Sequence, residues 1–150
     1  MNAPDSRMQA PPSAASVYAQ ARDSWTLATL EQRLGFTTRG ADGMEAQWLD
    51  GLREVPFAAL ADDDLGMLLA RGMHIPVLLP VALARLQAAV TSRLPPSGTL
   101  IEGCGRAAKL VTARAPELAK QADAALRSLL QAQWAHGRVE VLDAVYAALS

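Results

Sequence analysis

A chain of 150 residues can bury a real core, since a chain this size hides roughly 70% of its unfolded surface. Hydrophobic residues make up 51% of it but aromatics only 5%, and thirty positions are alanine, a mix that suits helices packed through small contacts. A formal net charge of -1 argues against generic nucleic-acid binding, which calls for a frankly basic surface.

Residues 1–23 are rich in Pro, Ala, Ser and Gln and read as a mobile N-terminal tail, and residues 24–150 read as one helical domain. The first helix is expected to take Ser24 as its cap, keep Leu27, Leu30 and Leu34 on one face and stop at Gly35. After a loop from Phe36 to Gly43, Met44, Trp48, Leu49 and Leu52 recur at helical spacing, and Pro56 closes that segment. Asp62 is the expected cap of the next helix, with Leu65, Leu68 and Leu69 as its buried stripe and Gly72 as its stop. The following helix carries Leu79, Leu83, Leu86 and Val90 on one stripe with Leu78 and Ala82 beside it, and should be central. Pro80 sits either in its first turn, the preferred reading, or at a kink in a helix begun at Pro76.

Leu94 to Gly98 is a break, and the glycine-bearing run from Gly98 to Gly105 reads as a flexible connection before a helix near Arg106 to Arg114. A strong helix starts with Pro116 at its first position and runs to about Gln133, with Leu118, Ala122, Ala125, Leu126, Leu129 and Leu130 on one face. Val141, Leu142, Val145, Tyr146 and Leu149 mark a last amphipathic helix. Alternating strand patterns and internal repeats are not evident. The expected architecture is all-α, a single compact bundle of six or seven helices.

Chemistry is sparse along this chain. Cys104 stands alone, so it has no internal disulfide partner and nothing requires an oxidising compartment. His74 and His136 are far apart and lack any spacing that holds zinc, so no metal is expected. Gly98 to Gly105 lacks the Lys-Ser/Thr ending of a phosphate-cradling loop, and Cys104 carries no local nucleophile signature. No catalytic or cofactor-binding residue is expected. No basic stretch followed by an apolar core opens the chain, and no apolar run approaches the ~20 residues that span a bilayer. The expected location is the cytoplasm, without membrane contact.

Charge is the one global signal. Residues 31–64 hold eight acids and three bases, whereas 65–150 hold five acids and nine bases, a division that suggests an electrostatic partner or complementarity within the chain. Three neighbouring acids on a helix point about 100 degrees apart, so Asp62, Asp63 and Asp64 do not converge on one ion. They read as a solvated helix start or as a patch for a basic partner, helped there by the nearby acids Glu31, Asp42, Glu45, Asp50 and Glu54. Arg106, Lys109, Arg114, Lys120 and Arg127 form a diffuse basic region without interleaved aromatics, which favours a solvated face over direct nucleic-acid contact.

The stretch from Trp48 to Leu86 has a definite residue order: Trp48, Leu52-Arg53, Pro56-Phe57, Leu60, Asp63-Asp64-Leu65, Leu68-Leu69, His74, Leu78-Leu79-Pro80, Ala82-Leu83 and Leu86. With Trp25 and Glu31 before it, this order resembles the helical immunity proteins of contact-dependent growth inhibition systems. The resemblance covers residues 25–90. Beyond Val90 the chain departs from it, carrying Leu100-Ile101-Glu102-Gly103-Cys104-Gly105 where such proteins tend to have an acidic G-D-L-L segment before a tryptophan.

The resemblance implies an antidote that binds the cognate toxin C-terminal domain of a large exoprotein, commonly a nuclease, and blocks it by stoichiometric association. Such surfaces diverge with their toxins, so no family binding residue is carried over. Charge alone selects Asp42, Glu45, Asp62, Asp63 and Asp64 as the expected toxin-binding residues, because a nuclease that holds phosphates presents a basic cleft. The alternative is a helical adaptor or chaperone-like binding module.

Overall fold

The computed structural model describes residues 13–40, 42–92, 96–135 and 139–150, which fold as eight α-helices and one 3-10 helix with no strand among them. The all-α expectation holds, with one helix more than the sequence reading allowed. Contacts group the chain into two units, Met1–Pro56 and Phe57–Ser150, where that reading has one domain from residue 24 onward.

The first unit holds α1 (Ala14–Gln20), α2 (Leu27–Leu34) and α3 (Gly43–Leu52). Helix α1 lies inside the stretch read as a mobile tail. Ser13 caps it by accepting the Ser16 N–H at 3.1 Å, and Val17 is buried, so one cap and one anchor give seven residues of order. Residues 1–12 of that expected tail lie outside the described residues. Helix α2 is capped by Thr26 rather than Ser24: the Thr26 hydroxyl accepts the Thr29 N–H at 3.1 Å. Leu27 and Leu30 are buried, and Gly35 ends the helix at φ 86°, where a side chain would be strained. Helix α3 is capped by Asp42, which accepts the Glu45 N–H at 2.8 Å, and buries Leu49 and Leu52.

The second unit holds the 3-10 helix Phe57–Ala59 and then α4 (Asp62–Ala70), α5 (Ile75–Thr91), α6 (Gly98–Val111), α7 (Pro116–Ala135) and α8 (Val139–Leu149). Asp62 is not the cap of α4. Ala61 holds that position and makes no side-chain cap, while Asp62 is the first helical residue and its carboxylate turns to Arg85. Pro80 is not in the first turn of α5 either. The helix begins at Ile75 with Pro76 in its first turn, so Pro80 lies inside, and the Pro76 carbonyl loses its helical donor. Both prolines are exposed, which puts that carbonyl on the solvent side, while Leu78, Leu79, Ala82, Leu83 and Leu86 are buried behind them.

The largest departure is α6. The run from Gly98 to Gly105 is helix, not a flexible connection, and Ser97 caps it by accepting the Leu100 N–H at 3.0 Å. Two of its glycines, Gly103 and Gly105, serve close approach. A Cβ on Gly103 would lie 2.3 Å from the Gly66 carbonyl oxygen of α4, and a Cβ on Gly66 would lie 2.3 Å from the Thr99 oxygen, so only glycine lets these helices touch backbone to backbone. Leu100, Ile101 and Cys104 are buried along α6. α4 and α8 both pack on α6, and α5 packs on α7. Helix α7 starts at Pro116 as expected and buries Ala122, Ala125, Leu126 and Leu129; α8 buries Leu142, Val145 and Ala148.

Candidate functional site

The acidic residues selected by charge divide between the two units. In the first, Asp42 and Glu45 share the first turn of α3: Asp42 is exposed and spends one carboxylate oxygen on the Glu45 N–H, and Glu45 is half-buried. In the second, Asp62, Asp63 and Asp64 open α4 and fan around its axis. The Asp62 carboxylate meets the Arg85 guanidinium at 2.9 Å, Asp63 is exposed, and Asp64 is half-buried. Arg85 also donates to the Leu60 carbonyl at 2.6 Å and to the Phe57 and Ala58 carbonyls at 3.3 and 3.1 Å. One arginine of α5 thus ties down the 3-10 turn and the start of α4. Asp42 and Asp62 therefore have structural duties, and Asp63 is the acid of the triplet that faces solvent.

Charge alone sets Glu31 and Asp50 among the acids of a partner surface, but the structure places Glu31 in a buried network of the first unit and pairs Asp50 with Arg53. Glu31 of α2 is 2% exposed, and its carboxylate meets Arg53 at 2.7 Å while accepting the Thr38 N–H at 3.2 Å. Arg53 also reaches Asp50 at 3.0 Å and donates to the Thr38 carbonyl. The hydrogen bond to Asp50 and the charge of Glu31 hold the guanidinium above its ordinary value against the opposing effect of burial. Burial, with the Glu31 charge adding, raises the Tyr18 phenol as well. A signal for this network existed. Leu27, Leu30, Glu31 and Leu34 fall at i, i+3, i+4 and i+7, which sets a glutamate on the apolar face of its helix.

Beside the pair lies a cleft of about 330 Å³, lined by Glu31, Arg53, Gln32, Gly35 and Thr37, with Phe36 on its wall and half exposed at 51%. Trp25, at the start of α2, is half-buried under Arg33, whose guanidinium carbon sits 5.0 Å from the ring centre. Trp48 is half-buried on α3. The Trp134 side chain and His136 lie outside what the structure describes. In the second unit an open groove of about 370 Å³ runs between α6, α7 and α8. Gly105, Ala108, Ala119 and Ala148 line it, with Lys109 and Lys120 also along it.

Chemically reactive groups are placed for packing. Cys104 is buried in α6, where desolvation, with the Asp62 charge adding, pushes its thiol up to about 12, so it is protonated at neutral pH and a poor nucleophile. His74 is buried at the junction before α5 in a left-handed conformation, φ 48°. Among the described residues no three His, Cys, Asp or Glu side chains are grouped to hold a metal, and no helix is long and apolar enough to cross a membrane. What the surfaces offer is contact: acids along α3 and α4, a half-exposed aromatic beside a cleft, and an apolar groove with lysines. Comparison with family models, with curated proteins and with solved structures returns no match for this chain.

Proposed function

We propose that this chain is a protein-binding module of the immunity type, which neutralises the toxin domain of a contact-dependent growth inhibition system by stoichiometric association. The observation that carries the reading is the Glu31–Arg53 pair, 22 residues apart in sequence and 2.7 Å apart in space. Both residues belong to the order through which the chain resembles helical immunity proteins, and the apolar members of that order, from Leu52 and Leu60 to Leu86, are buried. The resemblance therefore falls on the joint and core of the helices, the part that a set of antidotes with diverging surfaces would share.

The toxin-facing surface in this reading is the acidic one: Asp42 and Glu45 on α3 and Asp62, Asp63 and Asp64 on α4, with Asp63 the member least committed to the fold. Acids of this kind set approach rate and partner choice against a basic, phosphate-holding cleft, while buried anchors hold the complex. The test is co-expression with the toxin domain encoded beside this chain. Survival together with co-purification of the two chains is the expected result; death of the cells with no complex overturns the reading. The apolar groove of the second unit favours the second reading, a helical adaptor, and capture of a helical peptide there without any toxin protection would select it.

A further inference from the structure

The groove between α6, α7 and α8 has an apolar floor of small residues, Gly105, Ala108, Ala119 and Ala148. Its charged residues are mostly positive. Lys109 is exposed and has no ion-pair partner among the described residues, and Lys120 reaches only Glu117, at 3.6 Å, with both side chains largely in solvent. A pair of that kind contributes little and yields readily. Asp123, the one acid of the groove, is held by Arg127 at 2.8 Å, and the adjoining cleft carries Arg106 together with Glu102.

The chain carries a complement to this groove on its own α3. Met44 is 83% exposed there, and Gln47 and Gly51 follow it at three and seven residues on the same helix face, both exposed. Asp42, Glu45, Asp50 and Glu54 surround that face. Arg53, the only base between residues 42 and 64, is engaged by Glu31, Asp50 and the Thr38 carbonyl. A Cβ on Gly51 would meet nothing, so bare helix backbone is open to a neighbour.

We infer that α3 of one copy docks in the α6–α7–α8 groove of a second copy, with Met44 on the alanine floor and the acids of α3 against Lys109 and Lys120. Two different patches meet, so the contact is head-to-tail and extends past dimers unless a ring closes. The near-zero net charge leaves little overall repulsion to oppose it. The inference stands apart from the toxin reading, because it concerns the chain alone.

The test is sedimentation velocity of the purified full chain across a wide concentration range, at low and at raised salt. Wild type is expected to associate with concentration at low salt and to weaken as salt screens the charges. Two charge variants are made, Q47K/E54K on and just after α3 and K109E/K120E on the groove, and both are checked by helical circular dichroism. Each alone puts repulsion at two positions of the contact and should associate at least about tenfold more weakly. An equimolar mixture sets opposite charges together at both patches and should restore association. Gly51→Trp, at a position with open space around it, should block the contact by size without lowering the unfolding midpoint. A wild type that stays monomeric throughout, a charge variant that associates as wild type does, or a mixture that fails to associate each overturns the inference.

Discussion

Two glycines with opposite surroundings show what a single methyl group does in this chain. A Cβ on Gly66 would lie 2.3 Å from the Thr99 oxygen, which is backbone and cannot swing away, so Gly66→Ala must push α4 and α6 apart. The expected cost is about 2 kcal/mol or more, read as a lower urea midpoint. Gly51→Ala meets nothing and replaces a poor helix former, so it should raise the midpoint by up to about 1 kcal/mol. Equal effects of the two changes would contradict the backbone-to-backbone crossing. Cys104 gives a pH-dependent prediction. Its folded thiol keeps its proton to higher pH than the unfolded one, so the stability tied to it is intact below the ordinary value of 9.0 and is lost as pH rises from there toward about 12. The urea midpoint of wild type should therefore fall more steeply over that interval than that of Cys104→Ala; parallel curves would refute the burial argument.

At the scale of the element, Glu31 and Arg53 join α2 to the end of α3, and they are worth testing as a pair. Glu31→Gln leaves Arg53 part-buried with Asp50 and a carbonyl but without its carboxylate, and should cost about 1 to 3 kcal/mol. Glu31→Leu combined with Arg53→Met removes both charges at once and should cost less than Glu31→Leu alone, by denaturant unfolding. A double variant less stable than the single would show that the charges act independently.

These elements also show how far sequence reached. The apolar stripes of α2, α4, α5 and α7 were legible because spacing at 3.6 residues declares a buried face directly. Caps were less so: Ser24 and Thr26 offer the same hydroxyl chemistry two residues apart, and Asp62 can cap or reach outward, and only the position of Arg85 on α5 decides which. Helix α6 was hidden because Gly98, Gly103 and Gly105 signal flexibility locally, while the roles of Gly103 and Gly105 are set by Gly66 and Ala148, distant in sequence. The acidic residues themselves were visible, yet whether each is spent on a cap, an ion pair or solvent depends on partners brought in by the fold.

For the molecule as a whole, the toxin reading makes the acids separable. Asp62→Asn loses the Arg85 ion pair and should lower stability by about 0.5 to 1 kcal/mol, whereas Asp63→Asn loses only its place near the helix start and should cost less. Toxin binding should order them the other way. Reversal at the exposed Asp63 should slow association and steepen no stability loss, while unchanged binding after reversal of Asp62, Asp63 and Asp64 together would remove α4 from the contact surface. The most direct test of the central claim is a calorimetric titration of the purified chain into the toxin domain encoded beside it, with toxin activity followed in the same samples. The account predicts saturation at one chain per toxin domain and loss of toxin activity at the same ratio. Absence of binding heat with undiminished toxin activity would contradict it.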